Sequence, residues 1–412
     1  MHHEPNFLEN LRNELSSWRT WIDRSIVLAY AAACGLFVVG FTFATDLAFA
    51  AFRRLYDTYG WAVLLWMPAL TAAIAWATRR WFPGASGSGI PQVKAALHPA
   101  MPPERRGLFA SLRLTLAKIV LGVGAFAAGL SVGREGPSVQ VAAGVMQHAR
   151  RWLSPESTID SRALLVAGGA AGIAAAFNAP LAGVVFAIEE LAGRLETRSS
   201  GLIITAIVLA GLVAVSAFGN LSYFGVIKVQ QLGWDLLAPG LLVAMVSGVS
   251  GGLFSRLMAL SLTGAPDRFN RWRAGHPVIF AAACGLAVAL IGLASGGTTF
   301  GSGSESVKEM LAGERDLPPL YGLLKFIATW LTAWSGVPGG IFAPSLSVGA
   351  GIGHAVAALA TSSLAPALIA MGMAGFLAAV TQAPLTAFII VMEMVDGHSM
   401  VLSLMACAML AS

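Results

Sequence analysis

The chain has 412 residues, 56% of them hydrophobic and only 11% charged, and a mean hydropathy of +0.72. A chain this apolar falls outside the ordinary soluble classes and reads as an integral membrane protein. The net charge of +5 is modest, and its basic pairs (Arg53 and Arg54, Arg79 and Arg80, Arg105 and Arg106, Arg150 and Arg151) fall in connections, which suits headgroup contact and topology control rather than nucleic-acid binding.

Residues 1–25 carry apolar positions at helical spacing among charges and reach Trp18 and Trp21. They are expected to form an interfacial helix rather than a signal peptide, because the charges continue and no small-residue cleavage site follows a short apolar run. Apolar runs follow at about 26–51, 61–78, 108–130, 163–191, 201–218, 234–262, 278–295, 320–334, 339–360, 364–392 and 399–411, giving ten or more embedded segments if some are broken or tilted. Their length excludes a β-barrel, whose strands are short and alternate. Forty-six glycines fit close helix crossings and discontinuous helices. Cys34, Cys284 and Cys407 lie in apolar runs without a partner spacing and read as small core hydrophobes, with no disulfide or metal implied.

The first span holds one interior acid, Asp46, which reads as a helix-end or interhelical hydrogen bond near one surface. After the second span, Gly84-Ala-Ser-Gly-Ser-Gly-Ile-Pro91 forms a loop of small residues ahead of a short helix, presenting amide donors, with Ser88 the candidate hydroxyl facing an ion. Lys118 lies inside the next apolar run and either tunes the potential of a pathway or is snorkelled or internally paired.

The stretch that organises the chain is Gly133-Arg-Glu-Gly-Pro-Ser-Val-Gln140, where a carboxylate interrupts two apolar segments. An ionised carboxylate costs several kcal/mol in hydrocarbon, about 2.5 to 3.5 by lenient scales, so Glu135 reads as functional. The glycines let the backbone leave the helix, and Pro137 fits the first turn of a new one. Such a break aims amide donors at a point and makes an anion site, for which the acid and the anion would compete. Arg134 either holds the local field positive or anchors the loop at an interface. Further on, Asn178-Ala-Pro180 is expected to interrupt a helix. Glu189 and Glu190 end that apolar segment, either as a solvent-facing helix end or with a proton acceptor between them.

A unit of about 200 residues occurs twice. Gly87-Ser-Gly-Ile-Pro-Gln-Val-Lys94 matches Gly301-Ser-Gly-Ser-Glu-Ser-Val-Lys308; Glu135-Gly-Pro-Ser-Val-Gln-Val141 matches Phe342-Ala-Pro-Ser-Leu-Ser-Val348; Asn178-Ala-Pro-Leu and Glu189 match Gln382-Ala-Pro-Leu and Glu393. Duplicated units with interrupted helices are a transporter signature. Glu135 aligns with Phe342 and Glu190 with Met394, so the titratable groups belong to the first copy. The second copy offers the amides of Gly339-Gly-Ile-Phe-Ala-Pro344. Gly84-Ala-Ser-Gly also matches the short nucleophile motif of intramembrane serine proteases, with His354 the best-placed base for Ser86, but the match arises in a Gly/Ser-rich loop. No metal-ligand cluster, phosphate loop or dinucleotide fingerprint is present, and no enzymatic activity is expected.

In Gly87-Ser-Gly-Ile-Pro91, Gly133-Arg-Glu-Gly-Pro137, Gly339-Gly-Ile-Phe-Ala-Pro344 and the Ala-Phe-Asn-Ala-Pro-Leu-Ala-Gly segment of 176–183, the chain resembles the CLC family of chloride channels and proton-coupled chloride transporters, in its prokaryotic form without cytoplasmic regulatory domains. The resemblance implies an all-α polytopic fold of two inverted repeats, here 26–225 and 226–412, whose broken helices meet at a central anion site. It also implies a homodimer with one pathway per subunit, in a bacterial inner membrane, with no cofactor beyond the transported chloride. Ser88, Gly89, Ile90, Arg134, Gly136, Gly340, Ile341, Phe342 and Ala343 would then surround the anion. Glu135 would be the external gate and proton carrier, and Glu190 the internal proton relay of a two-chloride, one-proton antiporter; a passive voltage- or pH-gated chloride channel is the alternative. Ser88 and Pro137 favour the chloride type over the fluoride and nitrate branches. Family members usually carry a tyrosine on the last helix at the inner end of the path. This sequence has none after Tyr321, so either the inner constriction is built differently or its segment lies outside this sequence.

Overall fold

In hydrocarbon every backbone N–H and C=O must be satisfied within the protein, so apolar runs of this length fold as helices. The computed structural model describes residues 18–193, 197–219, 223–225, 227, 233–264, 267–314, 317–318, 320–360 and 362–412. Among them the one β pairing is a bridge between Gly133 and Gly340. The first half holds α1 (Trp18–Thr58), α2 (Val63–Trp81), α3 (Ile90–Leu97), α4 (Leu112–Ala127), α5 (Glu135–His148), α6 (Ser161–Phe177), α7 (Pro180–Phe186) and α8 (Thr197–Phe218). The second holds α9 (Leu237–Thr263), α10 (Arg268–Gly275), α11 (Pro277–Ala294), α12 (Ser304–Ala312), α13 (Tyr321–Trp334), α14 (Phe342–Ala357), α15 (Ala365–Thr381), α16 (Pro384–Met394) and α17 (Val401–Ala411).

Among the described residues, five helical segments are long and apolar enough to cross a membrane: Trp18–Thr58, Gly60–Trp81, Ser200–Phe218, Trp234–Thr263 and Pro277–Ala294. They expose large apolar side chains such as Leu65, Leu212, Val249 and Leu290, and the protein is a multi-pass membrane protein. The remaining apolar runs resolve into shorter pieces. The run 163–191 breaks where expected, at Asn178, and 364–392 breaks at its repeat counterpart Gln382; the two residues hold left-handed φ values of 55° and 57°, and Pro180 and Pro384 then open the next helices. The terminal helix expected over 1–25 lies outside the described residues as far as residue 17, and 18–25 form the first turns of α1.

At the centre, α5 packs on α6 and α14 on α15, and these four are buried almost throughout. Small residues make the crossings close: a Cβ added to Gly172 would stand 2.5 Å from the Ser138 carbonyl oxygen. The three cysteines are buried, as their place in apolar runs suggested; Cys34 Sγ donates to the Ala142 carbonyl and Cys407 Sγ to that of Met371, both at 3.2 Å.

The internal repeat is visible in contacts that run both ways between matched positions. Gly133 N donates to Gly340 O at 2.8 Å and Gly340 N to Gly133 O at 2.7 Å. Glu189 accepts from the Leu385 and Thr386 amides at 3.0 and 2.6 Å, capping α16, while Glu393 accepts from the Leu181 and Ala182 amides at 3.2 and 2.7 Å, capping α7. A contact in which i meets j and j meets i is what a two-fold axis generates. Glu189 is therefore neither a solvent-facing helix end nor a free acceptor.

Candidate anion site and gate

The loop 84–89 starts the site, and its geometry follows from what its carbonyls do. Gly84 O accepts from Gln140 Nε2 at 2.9 Å, Ala85 O from Lys118 Nζ at 2.8 Å and Ser86 O from Gln92 Nε2 at 2.6 Å. Gly87 O accepts from Lys118 Nζ at 2.6 Å and from the Gly339 amide at 3.1 Å. Four consecutive carbonyls are thus turned onto donors, which withdraws their negative ends from the site. Gly89 (φ 107°) then reverses the chain into α3, whose first amides point out of the helix without intrahelical acceptors. Lys118 is fully buried and does not snorkel. Ser86 Oγ donates to Gly336 O at 2.9 Å, so the hydroxyl of the nucleophile-like motif laces two loops together.

The second wall is the start of α5. Glu135 is its first residue, 1% exposed, and the Gly133–Gly340 bridge fixes the approach to it. Ser88 Oγ lies against the α-carbon of Gly136, where any side chain on residue 136 would collide with it. The third wall is the start of α14, with its N-terminal amides and their positive end of the helix dipole. The Ala343 amide lies 3.4 Å from Glu135 Oε2, a long hydrogen bond that brings the first copy's carboxylate onto the second copy's helix. Ser88, Gly89, Gly136, Gly340 and Ala343 are thus gathered around one point beside Glu135. Ile341 caps α14, and the Phe342 ring turns to Phe177 and Phe186, each with ring centroids 6.5 Å away.

Arg134 points the other way, with Nη1 donating to Asp46 at 2.7 Å and Nη2 to the Tyr223 hydroxyl at 3.1 Å. Asp46 thus makes the interhelical contact expected of it. These groups and Glu135 line a vestibule of about 280 Å³.

Glu190 is remote from that vestibule. It lies in a wide turn at Ala187–Ala192 and forms an ion pair with Lys94, the carboxylate side chain 7% and the lysine side chain 46% accessible. The link is α3, which starts beside Ser88 and carries Lys94 near its end, a helix about 12 Å long at 1.5 Å per residue. Gln140, Phe177 and Phe186 were not singled out in the sequence; the first stands in the same motif as Glu135 and the second in the 176–183 segment.

The fold and site define an all-α membrane protein in which two matched sets of broken helices converge on a point rich in amide donors. The model of the family described as voltage gated chloride channel matches residues 69–412. A curated H(+)/Cl(−) exchange transporter ClcA from Citrobacter koseri is 32% identical over 371 residues, covering 84% of this chain and 75% of that one, and its namesake from Klebsiella pneumoniae is 32% identical over 364 residues, with 83% and 73% covered. Among solved structures, a slow cyanobacterial Cl−/H+ antiporter superposes with a TM-score of 0.80 at 23% identity over 95% of this chain and 93% of that one. A CLC-type fluoride/proton antiporter gives 0.79 at 20% identity, over 99% and 96%. The chain belongs to the CLC family of chloride channels and transporters, and its work is transport rather than catalysis.

Proposed function

We propose that the protein exchanges chloride for protons across a bacterial inner membrane, with Glu135 as external gate and proton carrier and Glu190 as internal relay. The observation that carries this reading is the approach of the Glu135 carboxylate to the Ala343 amide at the head of α14. A carboxylate and a halide want the same donors, so they exclude one another: ionised, Glu135 occupies the site; protonated, it yields the site to the anion and carries a proton. Anion movement is then conditional on protonation, and the two fluxes run in opposite directions. The loop 84–89, with its carbonyls engaged elsewhere, and Ser88 beside Gly136 form the inner side of the same site. The curated relatives that resemble the chain are exchange transporters, which agrees with this assignment. The exchanger works as a homodimer with one pathway in each subunit, as the family resemblance implies.

One observation favours the passive channel. Glu190 is held by Lys94, and a relay acts only when that pair opens. Purified protein in liposomes with a chloride gradient and no proton gradient separates the two readings. The exchanger drives protons uphill; a channel leaves proton movement at background while chloride flows, and that result would overturn the proposal.

A further inference from the structure

Tyr223 stands in the connection between the two copies, outside every motif that marks the anion site. Two backbone bonds strap this stretch to the end of α16: Phe224 N donates to Met394 O at 2.8 Å and Ile227 N to Val395 O at 3.0 Å. From there the tyrosine reaches the vestibule. Its hydroxyl accepts from Arg134 Nη2 at 3.1 Å and lies 3.3 Å from Ser304 Oγ, at the first residue of α12. Its ring takes two cations, the Arg134 guanidinium at 5.7 Å and the Lys308 ammonium at 5.3 Å from the centroid.

A partly buried tyrosine in a membrane protein is commonly an interfacial anchor. Here the hydroxyl and the ring both engage Arg134, the residue next to the gate, and the same side chain ties it to α12 of the other copy. Cation–π contacts of this kind strengthen when the cation and ring are withdrawn from water. The other charged groups on the vestibule wall are Asp46 and Arg53 from α1, and Glu305, Lys308 and Glu309 from α12. Of these, Asp46 holds the opposite nitrogen of Arg134, at 2.7 Å. The guanidinium is therefore fixed from two sides, by a carboxylate on α1 and by Tyr223.

We propose that Tyr223 is a positioning residue that holds the Arg134 guanidinium at the vestibule mouth beside Glu135, and so sets how readily an entering anion is captured. This rests on the chain's moving chloride past Glu135. The test uses full-length protein in liposomes, with chloride flux measured against chloride concentration on the vestibule side. Tyr223→Leu, which removes hydroxyl and ring, is expected to raise the KM for chloride about threefold or more with maximal turnover within about twofold. Tyr223→Phe keeps the ring and is expected to give a smaller rise. In an Arg134→Gln background, adding Tyr223→Leu is expected to change KM no further, because the two residues act as one unit. An unchanged KM in both Tyr223 variants overturns the proposal, as does a rise of the same size in the Arg134→Gln background. A loss of turnover with KM unmoved also overturns it, since that is a structural role alone. Should Tyr223→Leu fail to assemble, Tyr223→Phe and its Arg134→Gln combination decide. A wild-type protein that moves no chloride fails the transport reading and this inference together; saturable wild-type flux with unmoved variants fails this inference alone.

Discussion

Lys118 and Lys325 stand 207 positions apart, and each buries its ammonium against two carbonyls of a glycine–serine loop in its own copy. Lys118 Nζ reaches Ala85 O and Gly87 O at 2.8 and 2.6 Å; Lys325 Nζ reaches Thr299 O and Gly301 O at 2.9 and 2.7 Å. Only the Lys118 loop carries Ser88 to the start of α5, so the pair shares a structural job while one member bears on the anion. Lys118→Met leaves the buried Ala85 carbonyl without its donor, at about 1–3 kcal/mol, leaves Gly87 O with the Gly339 amide alone, and removes a positive charge behind the site. Chloride affinity measured by titration calorimetry is expected to fall about tenfold, a change of about 1.4 kcal/mol. Lys325→Met is expected to lower thermal stability comparably while leaving chloride affinity within about threefold. Equal affinity losses in both variants would refute the distinction.

Glu135→Gln replaces an ionisable gate by an isosteric neutral one. The amide side chain cannot compete for the Ala343 N–H as an anion, and it cannot carry a proton. Proton movement in liposomes is expected to drop to background, and chloride flux is expected to persist and lose its dependence on pH. Continued proton coupling in this variant would remove Glu135 from the mechanism.

Glu189 and Glu393 hold the starts of α16 and α7 through charge-assisted bonds to two amides each. Losing a helix cap costs about 0.5–2 kcal/mol. Glu189→Ala and Glu393→Ala are each expected to lower the melting temperature of the detergent-solubilised protein. Because each residue caps a helix of the opposite copy, the double variant is expected to lose at least the sum. A double variant as stable as either single one would show that the two caps do not tie the halves together.

How much was legible in the sequence depended on how local the signal was. Glycine, proline and asparagine punctuate the chain where they stand, so the breaks before Glu135 and at Asn178 could be read directly, and the repeat followed from their spacing. The clustering of Ser88, Gly136 and Ala343 was legible through that repeat and the family motifs. The partners of Glu189 and Glu190 were not, because they come from residues 196 and 96 positions away and a carboxylate at a helix end looks the same whichever donor it meets. Lys325 was within reach, since applying the repeat's offset to Lys118 lands on it. Tyr223 gave no signal: it lies between motifs, and only the folded connection brings it to Arg134.

The Lys94–Glu190 pair offers the sharpest test of coupling, because its two members differ in exposure. Glu190→Gln leaves a half-exposed lysine that water can solvate, so the protein is expected to assemble normally. Lys94→Met leaves a nearly buried carboxylate without its counterion, which is the costlier loss. If Glu190 relays protons, Glu190→Gln is expected to reduce proton flux about tenfold or more while chloride flux stays within about twofold, as for removal of a positioned acid–base group. Lys94→Met, by freeing the carboxylate, is expected to change the ratio of proton to chloride flux without abolishing either. Simultaneous recording of pH and chloride in the same liposomes reads both ratios. Wild-type coupling in Glu190→Gln would leave the ion pair as a brace between α3 and the turn that follows α7, and proton entry would have to use another group.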